Sequence, residues 1–514
     1  MKADLAGRSL PYKPAVVVNM PRQLILQKTS RHGATEKRLD GDRLVGHHRL
    51  RKCCRFVFRT LASASLLLLA PGFACAADGW QAGVARVAIT PGEPMWMAGY
   101  AARKKPAEGT LTELYAKALA LEAGGNQMVI VTTDLIGIPR SVAHNVAGRV
   151  KEKYQLARKS LLLNASHTHC GPELRPERDY FYGMAEEQAA QIGAYTDKLE
   201  TALVDLIGDA LADLQPAKLT YAKSTAEFAK NRRFPTDEGF VNRRYDDGPT
   251  DHDVPVLQVL SHTGERRAIL FGYACHNTST GIMQFNGDYA GFAQSDIERE
   301  FPGVTALFME GTGGDQNPYP RGTIELAQQH GRELAEAVVR AVHEAQQPLP
   351  PEIQSAFTEV ELEFAPLPDR AALEVDLESG NVYRQRKARY LLGKLDRHEE
   401  IPLTYPCPIQ AVRFGDVLVM IAIGGEVVVD YSRLVKSTFR SVPFVWVAGY
   451  SNDVFGYLPS ARVLAEGGYE AGGAMLYGPL PGPFTDTVQQ RVMAGVRRVG
   501  TDVGFSFPEP LEQE

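Results

Sequence analysis

Two periods organise the apolar positions of the chain. Residues 84–89 alternate and stop at Thr90-Pro91, which predicts a strand. Residues 128–133 form an unbroken apolar run ending at Asp134, the pattern of a strand covered on both faces. A helix follows, with Ser141 at its cap and Val142, Val146 and Val150 recurring every four residues. The clearest helix runs from 195 to 214, where Leu199, Leu203, Leu206, Ala210 and Leu214 share a face before Gln215-Pro216 ends it. Further strands are expected at 161–163, 254–260, 268–273, 304–308, 353–364, 409–414, 417–423 and 444–447, with long helices at about 322–346 and 370–396. The alternation implies an α/β fold, a mixed β-sheet core with flanking helices in a single large domain over 77–514.

Charge changes the picture at one end. The 514 residues carry net charge −5, but 1–76 hold 14 Lys/Arg against 4 Asp/Glu, leaving −15 on the remainder. An acidic body excludes nucleic acid as the main partner, because displacing counterions needs a cationic face. Residues 49–76 run from cationic Arg51, Lys52, Arg55 and Arg59 through an apolar stretch at 61–70 to Ala74-Cys75-Ala76, the order of a signal peptide cut near Ala76. The mature protein is then secreted or periplasmic. That apolar stretch falls short of the roughly 20 residues that cross a bilayer, so no stable membrane span is expected. Residues 1–48 show no periodicity and read as disordered or as an over-extended start, with Met20 as an alternative. Cleavage leaves Cys170, Cys275 and Cys407, at most one disulfide, so the fold has to rest on its hydrophobic core.

Candidate chemistry lies where the expected strands end. His167 and His169 follow the apolar run at 161–163, and in an extended backbone their imidazoles point the same way. Alone, the pair reads either as metal ligands, most plausibly for Zn²⁺, or as two surface histidines. His276 ends another apolar strand and is equally open between a ligand and a core histidine. Asn286 to Gly291 leads into a helix. The loop 310–318, with Gly311, Gly313 and Gly314, either offers amides to an oxyanion or is a tight crossover. Gly424-Gly425-Glu426 puts a carboxylate at a strand end, and Tyr457 and Tyr469 fall in loop-like sequence.

As a set these motifs resemble the neutral (non-lysosomal) ceramidases, zinc-dependent amidases that cleave the N-acyl bond of ceramide. Ala88-Ile89-Thr90-Pro91 and Met97-Ala98-Gly99-Tyr100 match the opening of that family, and Ser166-His167-Thr168-His169-Cys170-Gly171-Pro172 matches its hallmark. The resemblance implies one Zn²⁺ held by His167, His276, Glu426 and Tyr457, with His169 as the catalytic histidine rather than a second ligand of the pair. It also implies roles for Arg232, from the pair Asn231-Arg232, and for Tyr469, which is followed by Glu470. On that resemblance His169 is expected to move the proton, and Tyr469, Arg232 and Asn317 to stabilise the oxyanion. Asn317 stands where the family has a functional serine, and the chain ends without the β-sandwich domain that follows in ceramidases. Both departures weaken ceramide as the specific substrate more than they weaken zinc hydrolysis. Cys170 is read as a packed thiol. The expected partner is a small amphiphilic N-acyl substrate, with transient contact at a membrane surface. Two alternatives stay open: a catalytically silent zinc-containing lipid or glycan binder, and a metal hydrolase of another amide or ester. A (β/α)₈ amidohydrolase places His-x-His on its first strand and follows it with a Lys or His pair and a late Asp, a series this chain lacks.

Overall fold

Strands that are apolar on both faces have to be covered on both sides. In the computed structural model, which describes residues 79–507, eight strands lie side by side. Their order is Thr305–Glu310, Arg266–Tyr273, Asp253–Ser261, Gln215–Thr225, Trp80–Ala88, Tyr115–Ala123, Asn126–Thr133 and Leu161–Ala165, and Gln347–Pro348 adds a ninth beside Gln215–Thr225. A second sheet holds Ile353–Glu363, Thr404–Phe414, Leu418–Ile423 and Phe444–Ala448. Both sheets are mixed. Asn126–Thr133 with Leu161–Ala165, Arg266–Tyr273 with Thr305–Glu310, and Leu418–Ile423 with Phe444–Ala448 are the parallel pairs.

Alternate residues of each strand enter different cores. Leu119, Leu121, Ile130, Leu270 and Leu307 of the large sheet meet Val412, Phe414, Met420 and Trp446 of the second sheet. Their neighbours point the other way: Ala118, Ala120, Val129 and Val131 face the helices Arg140–Tyr154 and Glu186–Ala212. Ile269, Phe271, Ala306 and Phe308 face Asp288–Glu300 and Ile324–His343. Val419, Ile421 and Ile423 cover the outside of the second sheet together with Asp430–Thr438 and Val488–Asp502. The domain is therefore helices, sheet, sheet, helices, the α/β fold expected from the sequence.

Several boundaries differ from expectation. The first helix starts at Arg140 behind an extended Pro139, so Ser141 lies inside it and does not cap it. The segment 370–396 is two helices, Arg370–Leu377 and Val382–Asp396, because the Asn381 side chain accepts the amides of Tyr383 and Arg384 and starts a new one. The long helix, expected over 195–214, runs Glu186–Ala212, and Gln215-Pro216, expected to end it, are already the first residues of the strand Gln215–Thr225. Cys170, Cys275 and Cys407 are buried free thiols. No helix among the described residues is long and apolar enough to cross a membrane. The leader at 49–76, its cut near Ala76 and the segment 1–48 lie outside the described residues.

The strand Trp80–Ala88 runs so close to the end of Glu186–Ala212 that a Cβ on Gly83 would fall 2.1 Å from the Ala210 carbonyl oxygen. Gly83→Ala is expected to lower the unfolding free energy by about 1–3 kcal/mol, read from denaturant melts. Gly92→Ala, which meets nothing within 4 Å, leaves it unchanged.

Candidate metal centre and its cavity

The carboxyl ends of strands from both sheets converge on one place, and Asn164 ties them together. Its Nδ2 donates to the Gly449 carbonyl at 2.9 Å and its Oδ1 accepts from the Glu310 amide at 2.9 Å. Just beyond, Leu161–Ala165 ends and His167 takes φ 63°, in the left-handed region that a side chain of this size rarely adopts. The extended spacing expected for His167 and His169 is therefore not what joins them. The turn brings their Nε2 atoms to 3.2 Å. His276 follows the end of Arg266–Tyr273, and its amide donates to Gln316 O at 3.0 Å. Glu426 and Tyr457, the latter expected in a loop, sit opposite each other in a short parallel pair, Glu426–Val427 with Tyr457–Leu458.

Glu426 Oε2 lies 3.3 Å from His167 Nε2 and 3.3 Å from His276 Nε2, and it has no hydrogen-bond partner among the described residues. Tyr457 Oη is 3.2 Å from His276 Nε2. The other ring nitrogens fix the tautomers. His167 Nδ1 is 2.6 Å from Ile136 O and His276 Nδ1 is 2.7 Å from Gly313 O; carbonyls only accept, so each Nδ1 carries the proton and each Nε2 presents a lone pair inward. Burial and the charge of Arg232 push His276 down to about 3, which keeps its imidazole neutral. Burial alone would raise the Glu426 carboxyl, but the two imidazole rings that face it at 3.3 Å outweigh burial and hold the group well below the usual range. Two neutral imidazoles, a carboxylate with a free oxygen and a phenol fit a divalent cation. His167, His169 and His276 together form a group with donor atoms within 4.8 Å of one another, which could bind a metal. His169 is half-buried, and burial together with the neighbouring histidines holds it well below its ordinary pKa.

Arg232 lies behind this centre. Its Nη2 donates to Tyr457 Oη at 2.9 Å, Nη1 to Asn317 Oδ1 at 3.2 Å and Nε to Glu470 Oε1 at 2.8 Å. Asn317 is fully buried, and its Nδ2 has no partner. A cavity of about 310 Å³ opens onto His167, His169, Glu426, Tyr457 and Tyr469, with Ile136, Val454, Phe455 and Leu480 among its apolar walls. His276, Arg232 and Asn317 do not line it. The Gly311 and Gly314 amides of the glycine-rich loop are taken by the Tyr273 and Val427 carbonyls, so that loop is a tight crossover. Cys170 is packed, its thiol pushed up to about 12 by burial.

Sequence reasoning missed three residues that shape the centre. Tyr450, at φ 48°, packs its ring at a tilt against that of His167, with the ring centres 4.5 Å apart. Arg103 donates to His169 O at 2.8 Å. Asn164 is the tie between the sheets described above. Gly99, by contrast, lies in a quoted motif, and its reason is now visible: at φ 99° a Cβ there would meet the His169 ring at 2.5 Å.

An imidazole and carboxylate donor set at strand ends, opening on an apolar cavity, is the arrangement used in metal-assisted hydrolysis. The chain belongs to the neutral/alkaline non-lysosomal ceramidase family, whose N-terminal profile matches residues 80–345. Membership makes it a ceramidase-like hydrolase acting on amide bonds. The fold is similar to that of neutral ceramidase from Pseudomonas aeruginosa, at 21% identity and a TM-score of 0.63, with 84% of this chain and 76% of that chain covered. A ceramidase complexed with C2 is similar at 20% identity and a TM-score of 0.63, with 84% and 77% covered.

Glu470 is 3% exposed and bridges two guanidinium groups, since Arg233 Nη1 also donates to its Oε2 at 2.6 Å. Glu470→Gln leaves buried cations short of an anion, and the expected loss of stability is about 3 kcal/mol or more. Burial alone would raise the Glu470 carboxyl, but the two arginines hold it below its ordinary 4.5. Its contribution is complete above pH 4.5 and is lost as the pH falls through the lowered folded-state value. Thermal melts across that acid limb should be flatter for the variant than for the unsubstituted protein.

Proposed function

We propose that the chain is a zinc-dependent amidohydrolase releasing a fatty acid from a small amphiphilic N-acyl substrate, ceramide or a related N-acyl lipid. It is exported by the leader at 49–76 to a secreted or periplasmic location and takes no nucleic-acid partner. The observation that carries this reading is the unpartnered Glu426 Oε2 facing two imidazole Nε2 atoms at 3.3 Å beside the cavity. His167, His276, Glu426 and Tyr457 are the proposed Zn²⁺ ligands. The bound ion supplies Lewis acidity, which polarises an amide carbonyl and acidifies water.

The remaining steps belong to the protein's own residues. The apolar walls hold the acyl chain and exclude water from it. His169, neutral and facing the cavity, takes the proton of the attacking water and returns it to the departing amine nitrogen. Tyr469 faces the cavity and donates its hydroxyl to the oxygen on which charge develops. Arg232 and Asn317 were expected to make that contact too, but as they lie outside the cavity wall they act through Tyr457 Oη, which Arg232 fixes. Asn317 in place of a serine favours one second reading, a silent zinc-containing lipid or glycan binder.

Metal analysis and fatty-acid release from short-chain ceramide and simpler N-acyl amines test the assignment. His167→Ala and Glu426→Ala should each lose zinc and activity together. His169→Ala should keep zinc and lose about 10²- to 10⁴-fold in kcat. Stoichiometric zinc in the His167→Ala, Glu426→Ala double variant contradicts the ligand set, and zinc without release from any amide favours the binder.

A further inference from the structure

The cavity beside Glu426 also carries two guanidinium groups, Arg175 and Arg178, and a wall shaped for a neutral lipid has no use for them. Burying an arginine costs free energy unless an anion faces it. Arg175 has one: its Nε donates to Oε1 of the fully buried Glu173 at 2.7 Å. Arg178, half-buried, has no carboxylate within ion-pair distance among the described residues. Among the described residues its one side-chain hydrogen bond runs from Nη1 to the Tyr182 hydroxyl oxygen at 2.6 Å, and its Nε is buried without a partner. Across from it stands Gly478, where even a Cβ would be 3.8 Å from Nη2, so no side chain of that residue covers this edge of the guanidinium. Glu173 pairs directly with Arg175 and reaches Arg178 only at longer range, as does Glu426, so a guanidinium edge with no directly bonded anion faces the cavity that holds His169 and Tyr469.

We propose that Arg178 is a specificity determinant that binds an anionic group of the substrate, so that the preferred substrates are N-acyl amides bearing a carboxylate or sulfonate on the amine half. The planar fork of Arg178 suits bidentate pairing with either group, while the apolar walls take the acyl chain. This rests on the N-acyl amidase reading of the same site and narrows it away from neutral amides.

The test separates binding from turnover. Calorimetry on zinc-loaded His169→Ala protein compares N-lauroylglycine and N-lauroyltaurine with the neutral N-lauroylethanolamine. At low salt at least one of the acids should bind about tenfold tighter or more than the ethanolamide, and added salt should shrink the preference. Which acid is preferred tells carboxylate from sulfonate. In the same background Arg178→Met should bring the ratio to about one, and Arg178→Lys should retain part of it. Equal or tighter binding of the ethanolamide overturns the proposal, as does an Arg178→Met variant that weakens all three ligands alike. If that variant fails to fold, the salt dependence of the ratio in the His169→Ala protein still decides. Laurate release by the unsubstituted enzyme is a separate readout: its absence from all three compounds overturns the amidase reading and leaves the binding ratio legible.

Discussion

One carboxylate oxygen organises the centre. Glu426 Oε2 sits against two imidazole Nε2 atoms with no hydrogen on any of the three to bridge them. Packing lone pairs together away from water is unfavourable unless a cation sits among them. The surroundings enforce the arrangement rather than relieve it. Carbonyl oxygens of Ile136 and Gly313 fix both Nδ1 protons, Tyr450 packs behind His167, and Arg232 holds Tyr457 from the far side. Left-handed φ values at His167, Tyr450 and Asn452 cluster at the same spot, a local cost that the two sheets sustain.

The sandwich of two sheets makes this convergence possible. Parallel pairs in each sheet end at the same level, so their following loops deliver His167, His276 and Glu426 from three separate strands. Asn164 links the large sheet to the loop after Phe444–Ala448, and Asp288 accepts the amides of Ser279 and Thr280 to pin the loop behind His276. Crossing elements of this kind hold a site more firmly than loops alone, because each side chain is anchored in a packed core.

How much was legible follows from how each element is stabilised. Strands such as Leu418–Ile423 and Arg266–Tyr273 are covered on both faces, so their apolar runs stand out in the sequence. Gly239–Tyr245 is half-buried or exposed along its whole length and carries Arg243 and Arg244, so no pattern marks it; pairing with Ala229–Thr236 makes it a strand. Tyr115–Ala123 carries no distinctive pattern, because its alanines serve either period. The helix Val488–Asp502 is amphipathic, but Gly495 and Gly500 lower its helix propensity and blur its pattern, while Gly495 lets it approach Ile409 and Val360 of the second sheet. The candidate ligands came from a family resemblance; spacing alone made His167 and His169 a ligand pair through an extended geometry that the turn at His167 does not have. Tyr450 and Arg103 carried no sequence signal, since their roles depend on contacts between distant segments.

The three imidazoles lie close enough that each could reach one ion, whereas the proposed site uses only His167 and His276 as ligands and leaves His169 for the proton. X-ray absorption at the zinc edge of the metal-loaded protein distinguishes these directly. One zinc per chain with two imidazole nitrogens and oxygen donors at about 2.0–2.2 Å is the expected spectrum. A spectrum requiring three imidazoles, or protein that takes up no zinc, would contradict it.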